Sequence, residues 1–227
     1  MYKYYIDKYF SKKFVNLNAI TYNPIMLLIY RITYPLSMLL NYFKIKPNTI
    51  SFISLLFCFF SLFFIINHNS FLFSFFWMMS ILLDFCDGTV ARLSNIKSNF
   101  RFNIDHYLDL FKISLVILFF SIDFNDKLIW LISFLFILLL FFNEIIISDL
   151  TNNITINLIT ELKPKNNIYI YIKSLYTILF TFNAHTLFIF VIMILKPTFA
   201  RFILLYLVFL LLKNFLINLT KLLKNEK

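Results

Sequence analysis

An all-α integral membrane protein is the fold class this sequence predicts, and three observations carry the prediction. The mean hydropathy is +0.82 and 61% of the residues are hydrophobic, well above the ~45–50% usual in a soluble domain. Apolar runs of roughly 18 residues or more recur along the chain, each long enough to cross a hydrocarbon layer of about 30 Å. The Lys and Arg residues flank these runs and form no contiguous basic patch. The net charge of +10 therefore reads as topology and contact with anionic headgroups, and no nucleic-acid partner is expected.

Residues 1–20 mix Tyr and Phe with Lys3, Lys8, Lys12 and Lys13, the composition of a segment lying in the membrane interface. Over 21–46 the chain predicts an interfacial helix running toward the membrane, with Pro24 and Pro35 either side of a short apolar stretch; a first transmembrane span is the alternative. Nothing at the start resembles a cleavable signal peptide. Pro47, Asn48 and Thr49 then supply helix-start chemistry. Six spans are expected, at 49–67, 71–92, 103–122, 128–149, 172–195 and 199–220. The division is an N-terminal interfacial segment, 1–48, and a six-helix transmembrane domain, 49–227. Cys58 and Cys86 sit in apolar or motif context and read as buried thiols with no disulfide framework. The chain contains no internal repeat.

Topology follows from charge. With the N-terminus inside, the inner segments hold seventeen Lys and Arg and the outer loops only Lys127, Lys196 and Arg201. This bias puts both termini on the cytoplasmic side. Span two then ends, and span three begins, at the cytoplasmic face.

The residues with chemistry to offer lie at that junction, in 84–109, DFCDGTVARLSNIKSNFRFNIDHYLD. Asp84 and Asp87 are three residues apart and Asp105 and Asp109 four, so each pair shares one helix face. Carboxylates in or beside a span are costly and usually face a polar interior. Four of the chain's eleven acidic residues crowd here. Divalent cations, which favour carboxylate oxygen, would offset their repulsion. Gly88 is the chain's one glycine, which points to a ligand approaching the helix backbone closely. A packing glycine between spans is the plainer reading. Arg92, one turn on, has the geometry for bidentate phosphate contacts.

The spacing D-x2-D-G-x2-A-R, followed after eight residues by Arg101 and then by Asp105 and Asp109, resembles the signature of the CDP-alcohol phosphatidyltransferases. Seven of its eight fixed positions match; Arg101 stands where the family has glycine. Residues 46–51, KPNTIS, are similar to the PNxIT entry many members carry before their first span. The resemblance implies a membrane enzyme of phospholipid synthesis that holds two divalent ions, Mg²⁺ or Mn²⁺. It implies a CDP-linked lipid or alcohol as donor, transfer of the substituted phosphate to an acceptor hydroxyl, release of CMP, and a homodimer. Carried over by position, Asp84, Asp87, Asp105 and Asp109 are the metal ligands and Asp109 is the general base. Gly88, Ala91 and Arg92 line the nucleotide site. The favoured cargo is phosphatidyl from CDP-diacylglycerol, given to a small hydroxylated acceptor. The membrane is expected to be a bacterial inner membrane. A CDP-linked headgroup passed to diacylglycerol is the alternative within the family, and a non-catalytic cation-binding membrane protein the alternative outside it.

Other polar residues carry two readings each. Lys112, three residues after Asp109, can reach a substrate phosphate or pair with an aspartate. Arg101 turns to the cytoplasm, adds a phosphate contact or impairs donor binding. Glu144, beside Asn143 in span four, lines an acceptor pocket or makes a structural bond between spans. Asn183 and His185 read as an interhelical polar pair. His106, after Asp105, is reminiscent of the choline and ethanolamine phosphotransferases.

Overall fold

The computed structural model describes residues 23–94, 99–153, 167–180, 182 and 184–225. The basic aromatic stretch at 1–20 lies outside these. Among the described residues there are helices and no strand. In order they are α1 (Pro24–Tyr42), α2 (Pro47–Ile66), α3 (Ser70–Leu93), α4 (Asn99–Phe124), α5 (Lys127–Asn153), α6 (Asn167–Phe180), a 3₁₀ turn (Ala184–Phe188), α7 (Ile189–Leu195), a 3₁₀ turn (Pro197–Phe199) and α8 (Ala200–Asn225). The chain divides into two compact units, residues 1–113 and 114–227.

In the first unit α3 packs against both α1 and α2. Asn23 starts α1, its side chain accepting from the N–H groups of Ile25 and Met26 at 3.1 and 3.2 Å, with Pro24 at the first helical position. Both features satisfy or remove orphan donors of the first turn. The helix continues through Pro35. A core of Ile50, Leu83, Cys86 and Val90, with Leu36, Leu40, Ile45, Ile53 and Phe57 packed on it, joins the three helices. Cys58 and Cys86 are both free and buried, as expected.

With glycine almost absent, helix ends are made by other residues. Lys44 and His68 have φ of 54° and 53°. His68 donates its N–H to Ile65 O at 2.8 Å and Asn69 to Phe64 O at 3.0 Å; Lys44 and Ile45 repeat this on Asn41 and Leu40 at 2.9 and 3.1 Å. These are Schellman closures whose left-handed position is normally glycine.

In the second unit α5 packs against α8, with Phe136, Leu140, Leu204, Leu207 and Leu211 buried. Asn143, 3% exposed, donates Nδ2–H to Leu211 O across that seam at 2.9 Å. Asp126 caps α5, accepting from the Leu128 N–H at 2.9 Å, and takes a bond from Arg201 Nε at 2.8 Å. The backbone N–H of Leu128, and then Arg201, hold its carboxyl below the ordinary carboxylate value. Lys213 donates to Phe180 O at the end of α6 and lies 4.5 Å over the Tyr176 ring, a favourable place for a cation.

Among the described residues, four helices are long and apolar enough to cross a membrane: Pro47–Ile66, Ser70–Leu93, Lys127–Ser148 and Pro197–Leu223. They are the second, third, fifth and last of the long helices, and they match four of the six expected spans. The span expected at 103–122 lies within α4, whose first half carries Asp105, Asp109 and Lys112. The span expected at 172–195 is not a single helix. It is divided between α6, a 3₁₀ turn and α7, where the sequence TFNAHT offers the side-chain hydrogen bonding that competes with helix.

His68→Gly tests the left-handed cap. Relief of Cβ strain of about 1–2 kcal/mol, less the ~0.4–1 kcal/mol lost to a freer unfolded chain, leaves a net gain of roughly 0.5–1 kcal/mol, read by thermal unfolding in detergent.

Candidate active site

Asp84 and Asp87 lie in the last turns of α3, and Asp109 lies in α4. With Ser51, Leu108 and Lys112 they line a cleft of about 30 Å³, room for one or two water-sized species. All six lining residues belong to the first unit.

The seam between α2 and α3 holds the carboxylates in place. Ser51 Oγ–H donates to Asp87 Oδ2 at 2.5 Å, and Ser54 Oγ–H to Asp84 Oδ1 at 2.7 Å. Ser54 Oγ lies 3.0 Å from Ser80 O and 3.3 Å from Ser80 Oγ, while Ser80 Oγ–H donates to Ser54 O at 2.9 Å. Ser51, Ser54 and Ser80 are buried, as is Asp87. A carboxylate taken into such a place needs donors, and α2 supplies them.

Lys112 completes the cluster from α4. Its Nζ lies 2.5 Å from Asp84 Oδ1 and 2.9 Å from Asp109 Oδ1, and it donates to Ser54 Oγ at 3.1 Å. Its side chain is 5% exposed, against 22% for Asp84 and 47% for Asp109. The lysine is thus behind the carboxylates and Asp109 is at the open side. Of the two sequence readings of Lys112, the pairing with aspartate is the one observed.

The nucleotide candidates are on the same end of α3. Among the described residues, the atoms nearest to a Cβ added on Gly88 are those of the Arg92 guanidinium, at 3.4 Å to one Nη, 3.6 Å to the other and 3.9 Å to Cζ. The face Gly88 opens is thus edged, among these residues, by Arg92. Arg92 Nη2–H donates to Thr89 Oγ1 at 3.2 Å, and its Cζ lies 5.6 Å from the Tyr30 ring centroid. Ala91 is half-buried one turn from Gly88.

Arg101, Asp105 and His106 lie on α4, and their side chains are outside the described residues, as are those of Asn183 and His185. Among the described residues no group of three or more His, Cys, Asp or Glu closes around one point as a metal site. Glu144 is half-buried on α5 in the second unit, and its neighbour Asn143 makes a structural bond between helices.

Sequence reasoning missed Ser51, Ser54, Ser80, Thr89 and Tyr30. A signal was present for the serines: Ser51, Ser54, Cys58 and Ser61 recur at three and four residues through an otherwise apolar run, the period of one helix face.

Ser51→Ala withdraws a charge-assisted bond from a buried carboxylate and should cost about 1.5–3 kcal/mol. Ser61→Ala, which loses only a bond to Cys58 O in its own helix, should cost about 1 kcal/mol or less. Thermal unfolding of the two variants side by side checks the difference.

Compared with known families, residues 44–212 match the model of the CDP-alcohol phosphatidyltransferase family, about three quarters of the chain. No curated protein matches the chain.

Proposed function

The chain belongs to the CDP-alcohol phosphatidyltransferase family, a class of membrane phosphotransferases of phospholipid synthesis, and on that footing we propose that it transfers phosphatidyl from CDP-diacylglycerol to a small hydroxylated acceptor, releasing CMP. The observation that carries the site assignment is the convergence of Asp84, Asp87 and Asp109 on one cleft. The rival outside the family, a cation-binding protein without chemistry, gives no role to the Gly88, Ala91 and Arg92 half of the motif.

The donor set suits a divalent ion. Hard carboxylate oxygens line the cleft, and the Lys112 ammonium, paired with two of the carboxylates, offsets only one of their two charges. Asp84, Asp87, Asp105 and Asp109 would hold Mg²⁺ or Mn²⁺, two ions by analogy with the family. Bound there, divalent ions neutralise charge developing on the transferring phosphate and on the departing CMP.

The remaining roles belong to the chain's own residues. Asp109, half-exposed at the open side, takes the proton of the acceptor hydroxyl. The hydroxyl oxygen forms a bond to the phosphorus bearing diacylglycerol while the bond from that phosphorus to the CMP oxygen breaks. Arg92, steadied by Thr89 and Tyr30, presents its guanidinium to a phosphate of the donor. Gly88 leaves the α3 backbone bare beside it, so the nucleotide can approach. Ala91 continues that surface with a single methyl. We place the cleft and both termini at the cytoplasmic face, on the charge bias of the sequence.

The test is CMP release in detergent with Mn²⁺, CDP-diacylglycerol and a panel of glycerol-3-phosphate, serine, inositol and inositol phosphate. Release dependent on one acceptor is expected. Asp109→Asn should lower kcat about 10²–10⁴-fold with little change in melting temperature. Reaction only with CDP-choline or CDP-ethanolamine plus diacylglycerol would reverse the cargo.

Gly88→Ala separates ligand approach from packing. Alanine is the better helix former by about 0.5–1 kcal/mol, and among the described residues the atoms nearest its Cβ belong to the flexible Arg92 side chain. The variant is expected to melt at or above the wild-type temperature while its KM for the donor rises. A lower melting temperature with unchanged KM would assign the glycine to packing.

A further inference from the structure

An ammonium has three N–H donors, and three acceptors surround that of Lys112: Asp84 Oδ1 at 2.5 Å, Asp109 Oδ1 at 2.9 Å and Ser54 Oγ at 3.1 Å. The side chain is 5% exposed. Lysine is almost never buried this far unless paired, and on a membrane helix a lone buried ammonium is more costly still. Here it stands between one carboxylate of α3 and one of α4, two groups that would otherwise repel across the cleft. Its three donors are all used, two of them on carboxylate oxygens of the kind a divalent ion in this cleft would bind.

We propose that Lys112 is a built-in counter-cation of the aspartate cleft: it offsets one of the two charges on Asp84 and Asp109 when no divalent ion is bound, and gives up both oxygens when one binds. The inference rests on the reading of these aspartates as metal ligands. Its physical basis is exclusion. A single Oδ1 on each carboxylate serves the ammonium, and a divalent ion at the same oxygens would stand within a few ångströms of a like charge. That repulsion favours the departure of one cation, and the lysine is the one on a flexible stem.

This role makes two effects of opposite sign. Without the lysine, the metal-free protein loses the positive charge that stands between two facing carboxylates, so it is less stable. The same change removes the ion's competitor, so the ion binds more tightly. A lysine that only supported the fold would weaken both.

The experiment compares wild-type protein with Lys112→Gln, each stripped of metal and purified in detergent. Melting temperature is measured in EDTA and Mn²⁺ affinity by loss of the free-ion EPR signal. Lys112→Gln is expected to melt lower in EDTA and to bind Mn²⁺ roughly tenfold more tightly, on the scale of one close like charge removed. Equal or weaker Mn²⁺ binding by the variant, with wild type binding normally, overturns the counter-cation role and leaves the metal reading intact. Absence of Mn²⁺ binding by wild type overturns both. Should Lys112→Gln not fold, the wild-type protein supplies the answer through amine acylation read by mass spectrometry. Lys112 should be protected in EDTA and labelled once Mn²⁺ saturates the site; equal protection in both conditions overturns the proposal.

Discussion

A buried carboxylate must find donors, and in this protein that requirement fixes how two helices meet. Asp87 and Asp84 of α3 are met by Ser51 and Ser54 of α2. As the position rises by three on α2 it falls by three on α3, which is the pairing two antiparallel helices joined by a short turn produce. Ser80 continues the contact. Sliding either helix by one residue would move every partner out of reach, so the register is set by polar atoms. Apolar side chains could not set it so sharply, because Leu and Phe tolerate many alignments.

From that register the rest of the first unit follows. The last turns of α3 carry Gly88 and Arg92 beyond the seam, where α1 brings the Tyr30 ring beside the guanidinium. The arginine is thereby held by a hydroxyl and an aromatic face and is not spread over the protein surface. Lys112 needs a partner of opposite sign, which ties the second half of the aspartate motif to the first.

How far the sequence discloses this differs between its parts. The carboxylate spacings, the lone glycine and the apolar runs are local, and local patterns can be read along a chain. The helices α2, α3, α5 and α8 and the grouping of Asp84, Asp87 and Asp109 were legible for that reason. The partners of the carboxylates were not, because Ser51 is 36 residues from Asp87 and nothing in one sequence states the register between spans. Their periodicity was visible, but serines in a hydrophobic helix read equally well as packing residues. Lys112 had two legible destinies, and the choice depended on the distance to Asp84 across the cleft. The break between α6 and α7 was written in a polar run that composition had absorbed into one hydrophobic window.

The distribution of polarity around α2 gives the physical reason the site and the fold are hard to separate. Its buried face carries Ser51, Ser54, Cys58 and Ser61, while Phe52, Phe59, Phe60 and Phe63 are exposed. In water such an arrangement would be inside-out. In lipid it is the stable one, because burying a phenylalanine against another helix gains little over leaving it in hydrocarbon. Close contact of small side chains and hydrogen bonds then hold the helices together, and the best acceptors available are carboxylates. The aspartates are therefore not an electrostatic burden that a separate hydrophobic core must offset. They are partners in the strongest polar contacts of the α2–α3 seam. A substitution at an aspartate of α3 changes the chemistry of the cleft and the register that forms it through the same oxygen atoms.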